Sequence, residues 1–145
     1  MPYVKVYIHF VWSTKNRHPH LDSKTVRLKV WKHIKENASL KGINIDCING
    51  YKDHCHCLIS LNPNQTMIEV MKLIKGESAY WINKEMLTKE FFEWQDEYFA
   101  TAVSESIIKR TQIYIKNQET HHDKRTFHHE FNSFLNKCGF ILQKE

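Results

Sequence analysis

Glycine and proline are scarce in this chain, four and three in 145 residues. So little backbone punctuation argues against flexible linkers, disordered tracts and a repeat array. No apolar run approaches the roughly 20 residues that a membrane-spanning helix needs. The opening Met1-Pro2-Tyr3-Val4-Lys5 lacks the pattern of a signal peptide. The expectation is a cytoplasmic protein with no membrane partner. In that setting Cys47, Cys55, Cys57 and Cys138 read as reduced, mostly buried thiols rather than disulfides. A C-x2-C pair is also missing, which removes the strongest spacing signal for structural zinc.

What is present fits one domain over residues 1–145, with 41% hydrophobic and 26% charged residues. The net charge of +5, histidines excluded, suits a polyanionic partner without demanding one. Residues 3–12 alternate as a strand, with Val4, Val6, Ile8, Phe10 and Trp12 on one face and Tyr3, Lys5, Tyr7, His9 and Val11 on the other. Asp22 or Ser23 can cap a first helix carrying Val26, Val30, Ile34 and Ala38, which ends at Lys41-Gly42. Ile43, Ile45 and Cys47 predict a second strand, Asn49 to Lys52 a turn, and 53–61 its hairpin partner. Thr66 then caps a second helix with Met67, Val70, Met71, Ile74 and Trp81 on its apolar stripe. A fourth strand is expected over Trp94–Val103, followed by a third helix capped by Ser104 and a short closing helix around Phe127, Phe131, Phe134 and Leu135. The order strand, helix, strand, strand, helix, strand predicts an α+β fold, a ferredoxin-like or RRM-like sandwich with helices on one sheet face.

The chemistry concentrates in Asp53-His54-Cys55-His56-Cys57. Successive strand side chains point to opposite faces, so His54 and His56 share one face, roughly 6–7 Å apart along the chain, and both thiols take the other. Two imidazoles so placed can converge on one divalent cation. A zinc centre using all four side chains would break the strand. The sandwich predicts that Cys55, Cys57, Ile59 and Leu61 face the helices while the histidines sit on an open face that a ligand can reach. Tyr114 and Gln118, four residues apart, fall on one side of the third helix. Lys15, Asn16, Arg17 and His18, with Lys52, offer phosphate contacts or form a solvated loop, and Trp12 or Tyr51 could stack on a base. His121-His122 and His128-His129 read as a polar tail rather than a second metal site, and Lys116, Lys124 and Arg125 as general electrostatics. Trp31, Phe91, Phe92, Trp94 and Phe99 suit either a dimer interface or a core.

Four stretches together carry a resemblance: Phe10-Val11-Trp12-Ser13-Thr14-Lys15-Asn16-Arg17, the His54-Cys55-His56 pair, Trp94-Gln95 through Val103-Ser104, and Tyr114-x-x-x-Gln118 followed by His121-His122. In order and spacing the chain resembles the single-tyrosine HUH transposases of bacterial insertion sequences and their REP-associated relatives. Cys55 departs from the bulky apolar residue that the family prefers between its histidines, a change that a buried thiol tolerates. The resemblance implies Tyr114 as nucleophile and His54, His56 and Gln118 as ligands of Mg2+ or Mn2+. It also implies hairpin-bearing single-stranded DNA as substrate, a 5′-phosphotyrosine intermediate, and a homodimer whose active sites can be shared between subunits. Two alternatives stand beside it, an RRM-like binding module without catalysis and a domesticated nickase relative. Against the first, the central strand presents histidines where an RRM presents aromatics.

Overall fold

The structure, a computed structural model, describes residues 3–121, the side chain of His121 excepted. The expected closing helix, His122, Lys124, Arg125, the His128-His129 pair and Cys138 lie outside the described residues.

Four antiparallel strands, β1 (Tyr7–Ser13), β2 (Asn44–Tyr51), β3 (His54–Ser60) and β4 (Phe99–Val103), form one sheet in the order β2-β3-β1-β4. Helices α1 (Lys24–Leu40) and α2 (Met67–Lys84) connect β1 to β2 and β3 to β4. This is the ferredoxin-like sandwich predicted from the element order. The caps are the expected ones. Ser23 accepts from the Val26 amide and Thr66 from the Glu69 amide, each satisfying one of the donors that a helix start leaves unpaired.

One sheet face carries the core. Ile8, Phe10 and Trp12 of β1 and Cys55, Cys57 and Ile59 of β3 pack there against Val30, Trp31 and Ile34 of α1 and Val70, Met71 and Ile74 of α2. Trp12 is thereby committed to the core, only 2% exposed, and is not available to stack on a base. Trp31, Phe92 and Trp94 are core as well, whereas Phe91 is exposed.

Several boundaries differ from expectation, each for a local reason. Residues 3–6 lie outside β1 and are exposed, although Val6 still accepts from the Leu61 amide. The β2–β3 turn is Lys52-Asp53, not 49–52, because Asn49, Gly50 and Tyr51 remain paired with His56, Cys55 and His54. A bulge between Ile45 and Cys47 shifts the register, so Cys47 leaves the core face and pairs with Leu58 on the other. The fourth strand starts at Phe99. Residues 85–98 are neither helix nor strand, and Trp94 makes only an isolated bridge to Thr14 while its indole N–H donates to Ser78 Oγ over 2.9 Å.

Beyond β4 a 3-10 turn (Glu105–Ile107) leads into α3 (Ile108–Lys116), and Ser104 makes no side-chain cap bond. Asn117 interrupts the helix at φ −93°, ψ 15°, and helix α4, described over Gln118–His121, follows. Tyr114 and Gln118 thus lie on two helices rather than one. Ile115, fully buried against Cys47, Leu58 and Val103, fastens α3 to the second sheet face. Burial of such a side chain is worth about 2 kcal/mol.

Candidate active site

The second sheet face is not open. α3 lies across β2 and β3 and α4 across β2, and His54, His56 and the Gln118 side chain of α4 are almost completely buried. This corrects the expectation of an exposed histidine face. An RRM-type base-stacking platform therefore has no room on this sheet.

Strand pairing sets the composition of that face. Ser13 pairs with His54, Val11 with His56 and His9 with Leu58, so His9 shares the histidines' side of the sheet. His9 Nε2 lies 3.0 Å from His56 Nδ1, and the two rings are 5.2 Å apart. Burial pushes the His9 imidazole down to about 4, so it is neutral at physiological pH. His54 Nδ1 stands 2.9 Å from Asp53 Oδ1, and its Nε2 is 3.2 Å from Gln118 Oε1. The Gln118 amide is oriented by its other end, because Nε2 donates to the Tyr114 carbonyl over 3.2 Å. The Tyr114 ring stands edge-on to His56, 5.4 Å between centroids, and 6.2 Å from His9. All of these groups belong to one chain.

The donor set is that of a hard or borderline cation. In the tautomer that donates Nδ1–H to the Asp53 carboxylate, His54 has its lone pair on Nε2, directed at the Gln118 carbonyl oxygen; in the other, Nε2–H donates to that oxygen. Two lone pairs facing each other at 3.2 Å repel unless a proton or a cation stands between them. That separation is close to the roughly 3 Å edge of an octahedron with 2.1 Å metal–ligand distances. The residues present therefore fit Mg2+ or Mn2+. Among the described residues no three His, Cys, Asp or Glu side chains group around a metal position. Cys55 and Cys57 lie on the far side of β3, packed in the core against the helices, so neither thiol reaches the histidine side.

The expected phosphate-contacting residues gather at the same end of the sheet as His54. Lys15, Asn16 and Arg17 form a 3-10 turn directly after β1, and Lys52 sits in the turn before His54. This edge is stitched together. Thr14 N donates to Asp53 O over 2.8 Å, Leu21 N to Lys52 O over 2.9 Å, and the Asn16 amide to Gln95 Oε1 over 3.3 Å. Asn16 and Arg17 both adopt left-handed backbone (φ 56° and 54°), a costly conformation that side chains other than Gly rarely hold in succession. Lys15 pairs with Glu93, His18 with Glu90 and Lys52 with Asp22, exposed contacts that a phosphate can displace. Tyr51 is covered by Arg27 at 4.9 Å and Lys52 at 5.6 Å, so it too is not a free stacking surface. A cleft of about 240 Å³ opens among Ser13, Asn16, Arg17, Gln95 and Phe99. The larger groove, about 780 Å³ between α2 and residues 91–98, contains none of the histidines.

Sequence reasoning missed His9 and Asp53. Asp53 was adjacent in sequence to His54 and could have been suspected. His9 had only its place in the β1 alternation, which names a face but not a neighbour.

Comparison with known proteins identifies relatives of this chain. The profile described as "Transposase IS200 like" matches residues 2–118, a span that includes every residue of the cluster. The ISDra2 transposase TnpA of Deinococcus radiodurans is 28% identical over 121 residues, covering 80% of this chain and 84% of that protein. A crystal structure of a candidate transposase from the same species superimposes with a TM-score of 0.65 at 27% identity, over 81% of this chain and 95% of that one. A REP-associated tyrosine transposase bound to a REP hairpin shares the fold, with a TM-score of 0.64 at 16% identity over 99% of this chain and 90% of that one. With four-fifths of its length accounted for in this way, the chain belongs to the IS200-like transposase family.

Proposed function

We propose that the chain is a metal-dependent single-stranded DNA transposase, one domain over residues 1–145, that cleaves and rejoins strands through a 5′-phosphotyrosine. The observation that carries this reading is the meeting of Gln118, His54, His56 and Tyr114 at one spot on the covered sheet face.

Tyr114 is the nucleophile. Its phenolic oxygen bonds to phosphorus as the bond from phosphorus to the 3′ oxygen breaks. The phenol proton passes to solvent, and the leaving 3′ oxygen takes a proton from solvent to become a hydroxyl. Attack by another 3′-hydroxyl on the phosphotyrosine reverses the step and joins strands without ATP. His54, His56 and Gln118 would hold Mg2+ or Mn2+, which supplies polarisation of a non-bridging phosphate oxygen and a fixed in-line geometry. Asp53 and His9 each engage the Nδ1 of one ligating imidazole, which leaves both Nε2 lone pairs directed into the site. Lys15, Asn16, Arg17, His18 and Lys52 bind the phosphates of the single strand leading to the site. The hairpin-bearing substrate rests on the hairpin complex of the REP-associated relative. A homodimer belongs to the reading as well. Because Tyr114 and Gln118 already reach the histidines of their own chain, shared active sites would require exchange of the segment after β4.

Covalent capture tests this. Incubation with Mn2+ and a hairpin-bearing single strand should give a protein–DNA adduct that survives denaturing electrophoresis and disappears in Tyr114→Phe. An adduct persisting in that variant would remove Tyr114 from the chemistry. Failure of His54→Ala and His56→Ala to reduce the adduct would remove the metal.

A further inference from the structure

Gln118 stands just past an interruption of the helix. The segment that carries it follows a break at Asn117 (φ −93°, ψ 15°), so the burial of Ile115, which fastens α3, does not by itself fix what comes after. The Gln118 amide is tied back across the break to the Tyr114 carbonyl, which orients that side chain but does not hold the backbone after Asn117 against the rest of the fold.

The residue after Gln118 provides the hold. Glu119 receives both faces of the Arg27 fork, Nε to Oε1 at 2.9 Å and Nη2 to Oε2 at 2.8 Å. Arg27 is itself nearly buried, 4% exposed, in the first turn of α1. Its remaining nitrogen, Nη1, donates to the carbonyls of Leu21 and Asp22 at 2.9 and 2.8 Å, and the guanidinium plane covers Tyr51 at the end of β2. A planar fork anchored on three sides accepts a carboxylate in one orientation only, which makes it a geometric reference and not merely a charge.

We propose that the Arg27–Glu119 pair is a positioning clamp that seats α4 so that Gln118 presents its amide oxygen at His54. Its consequence for metal binding rests on the reading of Gln118 as a ligand. Neither clamp residue touches the ion; both act through Gln118. A second tether, Asn49 Nδ2 to the Lys116 carbonyl at 3.1 Å, lies before the Asn117 break and cannot substitute for the clamp.

The test uses the full chain with Glu119→Gln and Arg27→Lys, conservative changes that keep size and, for Lys, charge. Two quantities are measured. The first needs no metal: the NMR signal of the Gln118 side-chain amide, identified by its loss in Gln118→Glu. It should move to the position of a solvated glutamine in both clamp variants while the β1 and β3 amide signals stay in place. The second is Mn2+ affinity by electron paramagnetic resonance of the free ion. It should fall about tenfold in each clamp variant, and combining either with Gln118→Ala should cost nothing beyond Gln118→Ala alone. A Gln118 amide signal that stays in place in both clamp variants overturns the proposal. So does a loss of Mn2+ affinity that adds fully to that of Gln118→Ala. If the signal moves as expected but Mn2+ binding is indifferent to Gln118→Ala and to His54→Ala, the clamp stands and the metal assignment falls.

Discussion

His9 Nε2 lies 3.0 Å from His56 Nδ1, a contact between two imidazoles on neighbouring strands, 47 residues apart in sequence. Neutral His9 can accept from His56 Nδ1–H, which fixes the tautomer of His56 that has its lone pair on Nε2. His9→Leu should therefore weaken the response of adduct formation to Mn2+ by about tenfold, while His9→Gln, whose carbonyl oxygen can also accept, should lose less. Mn2+ titrations of adduct yield check both. Equal losses in the two variants would mean that His9 fills space and does not orient.

Gly50 tolerates no side chain. A Cβ built there would stand 2.1 Å from the His54 carbonyl oxygen and 2.9 Å from the Trp31 ring. Backbone cannot yield as a flexible side chain can, so Gly50→Ala should destabilise the fold by about 3 kcal/mol or more. Urea unfolding measures it. A loss under 1 kcal/mol would show that β2 and β3 separate more easily than this packing implies.

Alkaline pH should weaken the fold through the buried thiols. Burial raises Cys47 to about 11 and lifts Cys55 and Cys57 well above the ordinary 9.0. Below pH 9 the native and unfolded states both keep these protons, and the thiols contribute no pH dependence. As pH rises past 9 only the unfolded state releases them, so stability falls until the folded thiol also titrates. Each thiol should cost on the order of 1 kcal/mol one unit above its ordinary value. Comparing unfolding at pH 8 and pH 10, Cys47→Ala should show a drop smaller by about that amount than the unsubstituted protein. Identical drops would mean that Cys47 is not shielded.

The loop after β1 and the β2–β3 turn should set the salt dependence of DNA binding. Lys15→Ala and Lys52→Ala should each lower affinity for a single strand at low salt. Each should also reduce the slope of log K against log salt by about 0.7, one single-strand phosphate contact apiece. An unchanged slope in both would return this edge to ordinary solvated surface.

The element order, the two connecting helices and their caps were legible because they follow from local periodicity. Ile8, Phe10 and Trp12 alternate, Val30 and Ile34 recur at helical spacing, and Ser23 and Thr66 stand where helix starts need an acceptor. The shared face of His54 and His56 was legible for the same reason. Register was not. The bulge that moves Cys47 to the second face and the pairing that brings His9 to His56 depend on which residues meet across strands. Arg27 did leave a trace, since it sits on the same helical stripe as Val30, Trp31, Ile34 and Ala38, where an apolar residue is expected. A charge on a buried stripe signals a partner but does not name Glu119.

The sequence by itself determined the elements, the alternation of their faces and the motif residues, because pleat and helix period act over a few neighbours. Only the tertiary structure decided that α3 and α4 fold back over the histidines and that Gln118 meets His54 within one chain. It also decided that a buried arginine meets Glu119, 92 residues away in sequence. The physical reason is burial: Ile115 and the Arg27–Glu119 pair are satisfied only against partners distant in sequence, which no local pattern specifies.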